Sequence, residues 1–217
     1  ISAGRIREVD STFHRFLYSQ IDWDSRLVAL DGPRGVGKTT MFLQYLHDNP
    51  KESGSTLYLS LDNIWLDVKE IYELVQYHVR HGGRSIYLDE IHYLANWQNL
   101  IKSLYDNFKT LKIAYTGSSI LRLSQGKADL SRRQVEYSLA GMSFREFLEL
   151  DGFGRFKAYN LEDILANHVS IAEFIVSKIK VIPKFEQYLK YGYYPFYKED
   201  SLHFHEKLLQ VVNQVLD

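Results

Sequence analysis

The fold of this chain is decided by one stretch, Leu27-Val28-Ala29-Leu30-Asp31-Gly32-Pro33-Arg34-Gly35-Val36-Gly37-Lys38-Thr39-Thr40. It is an apolar strand that runs into a complete G-x-x-x-x-G-K-T loop and then into a helix. Glycines let such a loop fold tightly enough for its backbone N–H groups to surround a β-phosphate. The following helix points its positive end at the same oxygens. A structural glycine turn would leave the lysine and threonine in that register unexplained, so the stretch predicts a nucleotide-binding P-loop.

The residue types of the loop predict their roles. Lys38 is expected to bridge the β- and γ-phosphates of the nucleotide, and the hydroxyl of Thr39 is expected to hold Mg²⁺. The residues expected to bind the nucleotide are Gly32, Pro33, Arg34, Gly35, Val36, Gly37, Lys38, Thr39 and Thr40.

Composition and charge exclude several classes of protein. With 26 Lys and Arg against 27 Asp and Glu, the chain has no global basic field that would favour nucleic acid or an anionic membrane. It has no cysteine, which excludes disulfides and thiolate metal sites and fits a reducing compartment. No uncharged apolar run approaches the ~18–20 residues that a bilayer-spanning helix needs. We therefore expect a soluble, cytoplasmic, globular protein with no membrane partner.

Strand and helix patterns alternate four times in the first part of the chain. Such βαβ units build a parallel sheet that is covered on both faces, so an α/β fold is expected. The predicted strands are 27–30, 56–61, 85–89, 112–116 and 135–139, and the predicted helices are 5–21, 38–47, 68–79 and 97–108.

Only helical patterns follow Gly141. This change predicts a P-loop core over residues 1–142 and a second region over 143–217, which holds a small helical bundle or lid and the start of a C-terminal region. The predicted helices of the second region are 143–150, 161–179 and 183–191, followed by an amphipathic stretch near the end of the chain.

The strand Ile86-Tyr87-Leu88-Asp89-Glu90 ends in two acids, which is the Walker B pattern. The carboxyl ends of parallel strands share one edge of the sheet, so both acids are expected beside the P-loop. Asp89 is predicted to bind Mg²⁺, usually through water, and Glu90 to polarise the water that attacks the γ-phosphate. The alternative is a strand that ends in solvated acids, but the strand lies one βα unit downstream of a P-loop.

The fourth strand ends in Thr116-Gly117-Ser118-Ser119. Thr116 and Ser118 are candidates to orient the attacking water or to contact the γ-phosphate. The alternative is a Ser/Thr turn that caps the next helix. Asp62, after the second strand, faces the same edge and is a weaker candidate.

Two arginines, Arg132 and Arg133, stand immediately before the fifth strand. An arginine that reaches a phosphate from a neighbouring subunit accelerates phosphoryl transfer by several orders of magnitude in other nucleotidases. The alternative is a solvated basic pair. Arg122 and Lys127, in the same segment, are candidates for contact with phosphate, nucleic acid or solvent alone.

A series of segments resembles, in order, the AAA-14 group of archaeal and bacterial AAA+-type ATPases: residues 32–40, 88–92, Trp97 with 104–106, 116–119 and 139–147. The group's pattern is similar to G-P-R-x-V-G-K-T-T, D-E-I-x followed by W and L-x-x-L-Y-D, T-G-S-S and P-L-S-F-R-E-F. In this chain Gly141-Met142 replaces the usual Pro-Leu, and Tyr193 replaces one glycine of a later Y-L-x-x-G-G-x-P segment.

The resemblance implies a three-layer P-loop core with sheet order 5-1-4-3-2, a helical lid, and ATP with Mg²⁺ as ligands. It makes Arg132 or Arg133 an arginine finger or sensor, although Ser131 replaces a usual glycine. Thr116 stands where many AAA+ proteins have a sensor asparagine. Members continue into a second domain, so we expect a truncated ATPase core and a protein or DNA target engaged through the missing domain. A homo-oligomer is the partner that an arginine finger acting between subunits would require, and the sequence leaves the oligomeric state open.

Two functions of different classes follow. The leading one is Mg²⁺-dependent ATP hydrolysis that drives a conformational switch or assembly. The alternative is a slow nucleotide-gated binding module, in which ATP holds a closed state that engages DNA or a protein and hydrolysis resets it. A small-molecule kinase is disfavoured by Glu90 and by the lack of an obvious acceptor pocket.

Overall fold

The computed structural model of this chain describes residues 2–62, 66–118, 130 and 132–216. The chain divides into two compact units, Ile1–Ala140 and Gly141–Asp217. The division falls after residue 140, whereas the change in sequence pattern predicts it after residue 142.

The first unit is built on a parallel sheet. In the described residues its strand order is β2-β3-β4-β1-β5, and each neighbouring pair is parallel. Read from the β5 edge, the order is 5-1-4-3-2. The α/β class is confirmed. The strands are β1 (Leu27–Gly32), β2 (Thr56–Ser60), β3 (Ser85–Asp89), β4 (Lys112–Ser118) and β5 (Val135–Ser138).

The core lies on both faces of the sheet. Every residue of β1 and β3 is buried. Successive side chains of a strand point to opposite faces, so a strand that is buried throughout must be covered on both. The helices of this unit are α1 (Ser2–Glu8), α2 (Lys38–Asp48), α3 (Pro50–Ser53), α4 (Val68–Arg80) and α5 (Trp97–Asn107).

The start and the orientation of helix α4 are determined by its N-cap and a few of its own residues. Asp67 caps its start: the side chain of Asp67 accepts the N–H of Glu70, and the carboxylate of Glu70 accepts the N–H of Asp67, both at 2.8 Å. This capping box satisfies two backbone donors that the first helical turn leaves unpaired. Ile71 and Val75, one turn apart, are fully buried and fix which face of the helix meets the core.

The helix predicted over residues 5–21 is wrong. Helix α1 ends at Glu8, and a short 3₁₀ turn forms only at Phe16–Ser19. Between them, the side chain of Gln44 on α2 donates to the carbonyl oxygens of Asp10 (2.7 Å) and Phe13 (2.8 Å). Tertiary hydrogen bonds therefore take the carbonyl groups that a helix of this segment would have used.

The second unit is helical. Its helices are α6 (Phe144–Leu150), α7 (Leu161–Lys178), α8 (Val181–Tyr191) and α9 (Phe204–Leu216). Phe147 is fully buried and its ring lies near those of Tyr188 and Tyr197. By contrast, α7 has no buried residue among those described. No helix in the described part of the chain is long and apolar enough to cross a membrane.

Candidate functional site

The loop between β1 and α2 has the backbone that a P-loop requires. Gly37 caps α2 in the left-handed region, at φ 99° and ψ 24°, where a side chain would be strained. Gly32 has φ 153°, and a Cβ atom there would collide with the carbonyl oxygen of Leu139. Glycine at position 32 therefore lets the segment after β5 pass close to the start of the loop.

Lys38 lies over the loop rather than in solvent. Its side chain is buried, and Nζ donates to the carbonyl oxygens of Gly32 (2.9 Å) and Pro33 (3.0 Å). Burial lowers the pKa of Lys38, and the carboxylates of Glu90 and Asp89 oppose that shift. The ammonium group is thus held at the concave side of the loop, with both Walker B acids near it.

Three hydroxyl groups from three elements converge on the buried carboxylate of Asp89. Thr39 and Tyr58 donate to Oδ2 at 2.8 and 2.9 Å, and Thr116 donates to Oδ1 at 2.6 Å. Burial and the negative charge of Asp89 raise the pKa of Tyr58, so this phenol remains a hydrogen-bond donor. The cluster joins the first turn of α2, β2 and β4 to the end of β3.

Glu90 is held in an unusual backbone conformation. It lies in the left-handed region (φ 56°, ψ 51°), and its N–H donates to the hydroxyl of Thr116 at 2.8 Å. Its Oε2 is 3.3 Å from Nδ1 of His92. Burial raises the pKa of Glu90, whereas Lys38 lowers it. A half-buried carboxyl group with a raised pKa is a better proton acceptor than an ordinary surface glutamate.

Hydrogen bonds connect Thr39, Asp89, Glu90 and Thr116 at the sheet edge. Lys38 is bonded to the loop beside them, within reach of the charges of both acids. Ser118 ends β4 in register with Gly32, at the start of the loop. The predicted site residues of β1, β3 and β4 therefore lie at one edge, as a parallel sheet requires.

The predicted arginines do not join this cluster. Arg133 forms an ion pair with Asp106 of α5 at 3.4 Å, and Arg132 is exposed. Asp62 is exposed and accepts a hydrogen bond from Ser60 at 2.5 Å. The other two candidates, Arg122 and Lys127, lie outside the described residues.

Two residues of the site were missed. Tyr58 looks like an ordinary aromatic strand residue in the sequence, and its only signal is its place on the strand beside Asp89. Arg15 is 7% exposed and donates to the carbonyl oxygens of Val36 (2.6 Å) and Ala140 (2.8 Å). It lay inside the wrongly predicted helix, so nothing in the sequence pattern marked it.

The donor set at Asp89 fits Mg²⁺. A carboxylate and a hydroxyl oxygen 2.8 Å apart, from Asp89 and Thr39, are the hard oxygen ligands that this ion prefers. The described residues contain no group of three His, Cys, Asp or Glu that could hold a metal ion alone. The remaining ligands would therefore be water and the phosphates of a nucleotide.

Fold and site together define a nucleotide-binding, ATPase-like P-loop domain. A family model described as an AAA domain, AAA_14, matches residues 24–148, more than half of the chain. The chain belongs to the AAA_14 family.

The chain is also similar to longer proteins. It is 30% identical over 203 residues to the uncharacterized protein MJ1637 of Methanocaldococcus jannaschii, covering 88% of this chain and 42% of that protein. An uncharacterized protein of Haemophilus influenzae is 29% identical over 176 residues, which cover 76% of this chain and 38% of that protein. The chain thus spans about two fifths of these relatives. Among solved structures, C. elegans PCH-2 has a TM-score of 0.44 at 15% identity, over 69% of this chain and 42% of that one.

Proposed function

We propose that this chain binds ATP with Mg²⁺ and hydrolyses it to drive a conformational switch or assembly. One observation carries the proposal: the hydroxyl of Thr39, in the first turn of α2 directly after the loop, donates to Asp89 at the end of β3 at 2.8 Å. A P-loop threonine and a strand-end aspartate in contact form the pair that holds Mg²⁺ in P-loop nucleotidases. Membership of the AAA_14 family supports the same conclusion.

Phosphate binding is assigned to Lys38 and to the backbone of the loop. Lys38 would exchange the carbonyl oxygens of Gly32 and Pro33 for β- and γ-phosphate oxygens. Mg²⁺, held by Thr39 and Asp89, would neutralise part of the negative charge of the phosphates.

Glu90 is proposed as the general base. It would take a proton from a water molecule as that oxygen bonds to the γ-phosphorus and the bond to the bridging β–γ oxygen breaks, which gives ADP and phosphate. Burial raises the pKa of Glu90, which supports this role. Its neighbour Asp89, whose carboxylate accepts hydrogen bonds from Thr39, Tyr58 and Thr116, is assigned instead to the metal ion.

Of the two candidates for contact with the γ-phosphate, Thr116 and Ser118, we favour Ser118. The hydroxyl of Thr116 is fully buried and already bonds Asp89 and the N–H of Glu90, which supports a role in holding the two acids. Ser118 is less buried and pairs in register with Gly32 of the loop.

Arg132 is proposed as the arginine that acts on a neighbouring copy of the chain. Arg132 is exposed, whereas Arg133 is paired with Asp106 of its own chain.

The ion pair between Arg133 and Asp106 also favours the second candidate function, a slow nucleotide-gated module that engages DNA or a protein. An isolated chain would then turn over slowly because neither arginine completes its own site.

The test is steady-state turnover of Mg²⁺-ATP as a function of protein concentration, for the wild type, Glu90→Gln and the control Glu73→Gln on the exposed surface of α4. We expect wild type and control to show turnover that rises more than linearly with concentration, and Glu90→Gln to bind ATP without turnover. Equal, near-zero turnover in all three with ATP bound would favour the gated module. Failure of the wild type to bind ATP would overturn the proposal.

A further inference from the structure

We infer that Arg15 is a positioning residue for phosphate: its guanidinium fixes the peptide unit between Val36 and Gly37 so that the Gly37 N–H faces the phosphate side of the loop. The inference rests on the proposed nucleotide binding at this loop. It assigns a role to an arginine that lies outside every motif of the sequence.

The contact between Arg15 and the loop is short, buried and charged. Nη1 of Arg15 donates to the carbonyl oxygen of Val36 at 2.6 Å, and the side chain of Val36 is fully buried. Hydrogen bonds from an ionised donor are about twice as strong as neutral ones, and water does not compete for this one. Since an arginine guanidinium stays charged in proteins, it can donate this hydrogen bond at any ordinary pH.

The planar peptide bond converts this contact into an orientation of the next amide. In a trans peptide unit, the C=O of one residue and the N–H of the next point in opposite directions. Fixing the oxygen of Val36 on the Arg15 side therefore directs the N–H of Gly37 to the other side. The carbonyl of Gly37 is fixed in turn, because it accepts the N–H of Met41 in the first turn of α2 at 3.0 Å.

The second arm of the guanidinium ties the loop to the end of the sheet. Nη2 of Arg15 donates to the carbonyl oxygen of Ala140 at 2.8 Å. The neighbouring residue Leu139 donates its N–H to the backbone carbonyl oxygen of Asp31 in β1 at 2.8 Å. Arg15 thus bridges two segments that are both anchored to β1, which limits movement of the loop peptide relative to the sheet.

Arg15 is itself held from both sides by α2, the helix that begins at the loop. Before it, Gln44 donates to the carbonyl oxygens of Asp10 and Phe13. After it, Tyr18 donates to the carboxylate of Asp48 at 2.7 Å. The guanidinium therefore does not have to be ordered when a nucleotide binds, which lowers the entropic cost of binding.

The chain offers a matched control for the test. Arg26 also donates to two backbone carbonyl oxygens, those of Tyr105 and Phe108, but it braces the end of α5 rather than the loop. The variants Arg15→Gln and Arg26→Gln each remove one such brace. We expect both variants to lose some stability of the fold, whereas only Arg15→Gln should lose affinity for phosphate.

The experiment measures the dissociation constant of Mg²⁺-ADP by calorimetry, at a temperature where circular dichroism shows every variant folded. We expect Arg15→Gln to bind about tenfold more weakly or worse, as loss of a charged hydrogen bond implies. Arg15→Lys, which keeps the positive charge but replaces the two-armed guanidinium by a single ammonium group, should fall between, and Arg26→Gln should match the wild type. In ¹H–¹⁵N spectra, the shift of the Gly37 amide on adding Mg²⁺-ADP should shrink in Arg15→Gln.

Equal affinities of Arg15→Gln and Arg26→Gln would overturn the inference while leaving the proposed function intact. If Arg15→Gln does not fold, Arg15→Lys carries the same comparison, and wild-type affinity in that variant would overturn the inference. A wild-type chain that binds no nucleotide would overturn the proposed function itself, and the inference with it.

Discussion

The hydroxyl of Thr116 donates to Oδ1 of Asp89 at 2.6 Å, across the neighbouring strands β4 and β3. The same hydroxyl oxygen accepts the N–H of Glu90 at 2.8 Å. One fully buried side chain therefore holds the carboxylate of the first acid and the backbone of the second. This arrangement makes the positions of the two acids depend on each other.

Thr116→Val keeps the shape of the side chain and removes the hydroxyl. The N–H of Glu90 and one oxygen of Asp89 then lose a partner in a buried place, so the free energy of unfolding should fall by about 1–3 kcal/mol. Urea denaturation measures this change, with the exposed Thr110→Val as the control. A stability equal to that of the control would mean that water replaces the hydroxyl.

Tyr58→Phe removes the donor that shares Oδ2 of Asp89 with Thr39. When the hydroxyl of Thr39 turns to the metal ion, Tyr58 would be left as a donor that orients this oxygen. We expect a several-fold higher Mg²⁺ concentration for half-maximal ATP turnover, with nucleotide affinity in EDTA unchanged.

A Mg²⁺ titration of turnover measures this effect. The control is Tyr72→Phe, which loses a hydrogen bond to Asn107 away from the site. An identical Mg²⁺ dependence in both variants would contradict a role of Tyr58 at the metal site.

The sequence predicted the strands and most helices because these depend on local apolar spacing. Residues 68–79 have helical spacing and form α4, and the apolar run before Asp89 forms the buried strand β3. The meeting of Asp89 and Thr116 at one edge was predictable for a similar reason, since the ends of parallel strands share an edge.

The contacts of Arg15 and Tyr58 were not predictable in this way. Arg15 meets Val36 across 21 residues of sequence, and Tyr58 meets Asp89 across 31. These contacts exist only once the chain has folded, and neither residue type marks them. The wrong N-terminal helix has the same origin, because Gln44 bonds carbonyl groups that local pattern would assign to a helix.

The structure predicts opposite outcomes for two Gly→Ala changes. At Gly32 an added Cβ collides with the backbone of Leu139, so Gly32→Ala should lower the free energy of unfolding by more than about 1 kcal/mol. At Gly54, in the right-handed region, an added Cβ meets ordinary contacts 3.5 Å from Pro50. Gly54→Ala should be neutral or stabilising by about 0.4–1 kcal/mol. Thermal denaturation of both variants checks this, and equal effects would be inconsistent with the close passage at Gly32.

The hydrogen-bonded carboxyl group of Asp48 should make the folded protein less stable in acid. Burial raises the pKa of its carboxyl, but hydrogen bonds from Tyr18, His47 and His14 lower it more, to about 2. A folded-state pKa below the unfolded value of about 3.9 gives stability that is present above that value and is lost as the pH falls toward 2. In Asp48→Asn, the decline of the free energy of unfolding between about pH 4 and 2 should be shallower than in the wild type. Parallel profiles from urea denaturation would show that Asp48 is not responsible.

We propose that ATP binds at the loop around Lys38. The most direct test is the affinity of Mg²⁺-ATP for the wild type and for Lys38→Met, which replaces a buried side chain by an apolar one of similar length. We predict that the wild type binds and that Lys38→Met, with an unchanged circular dichroism spectrum, binds at least about tenfold more weakly. Equal affinity in the two proteins would show that the nucleotide does not bind at this loop.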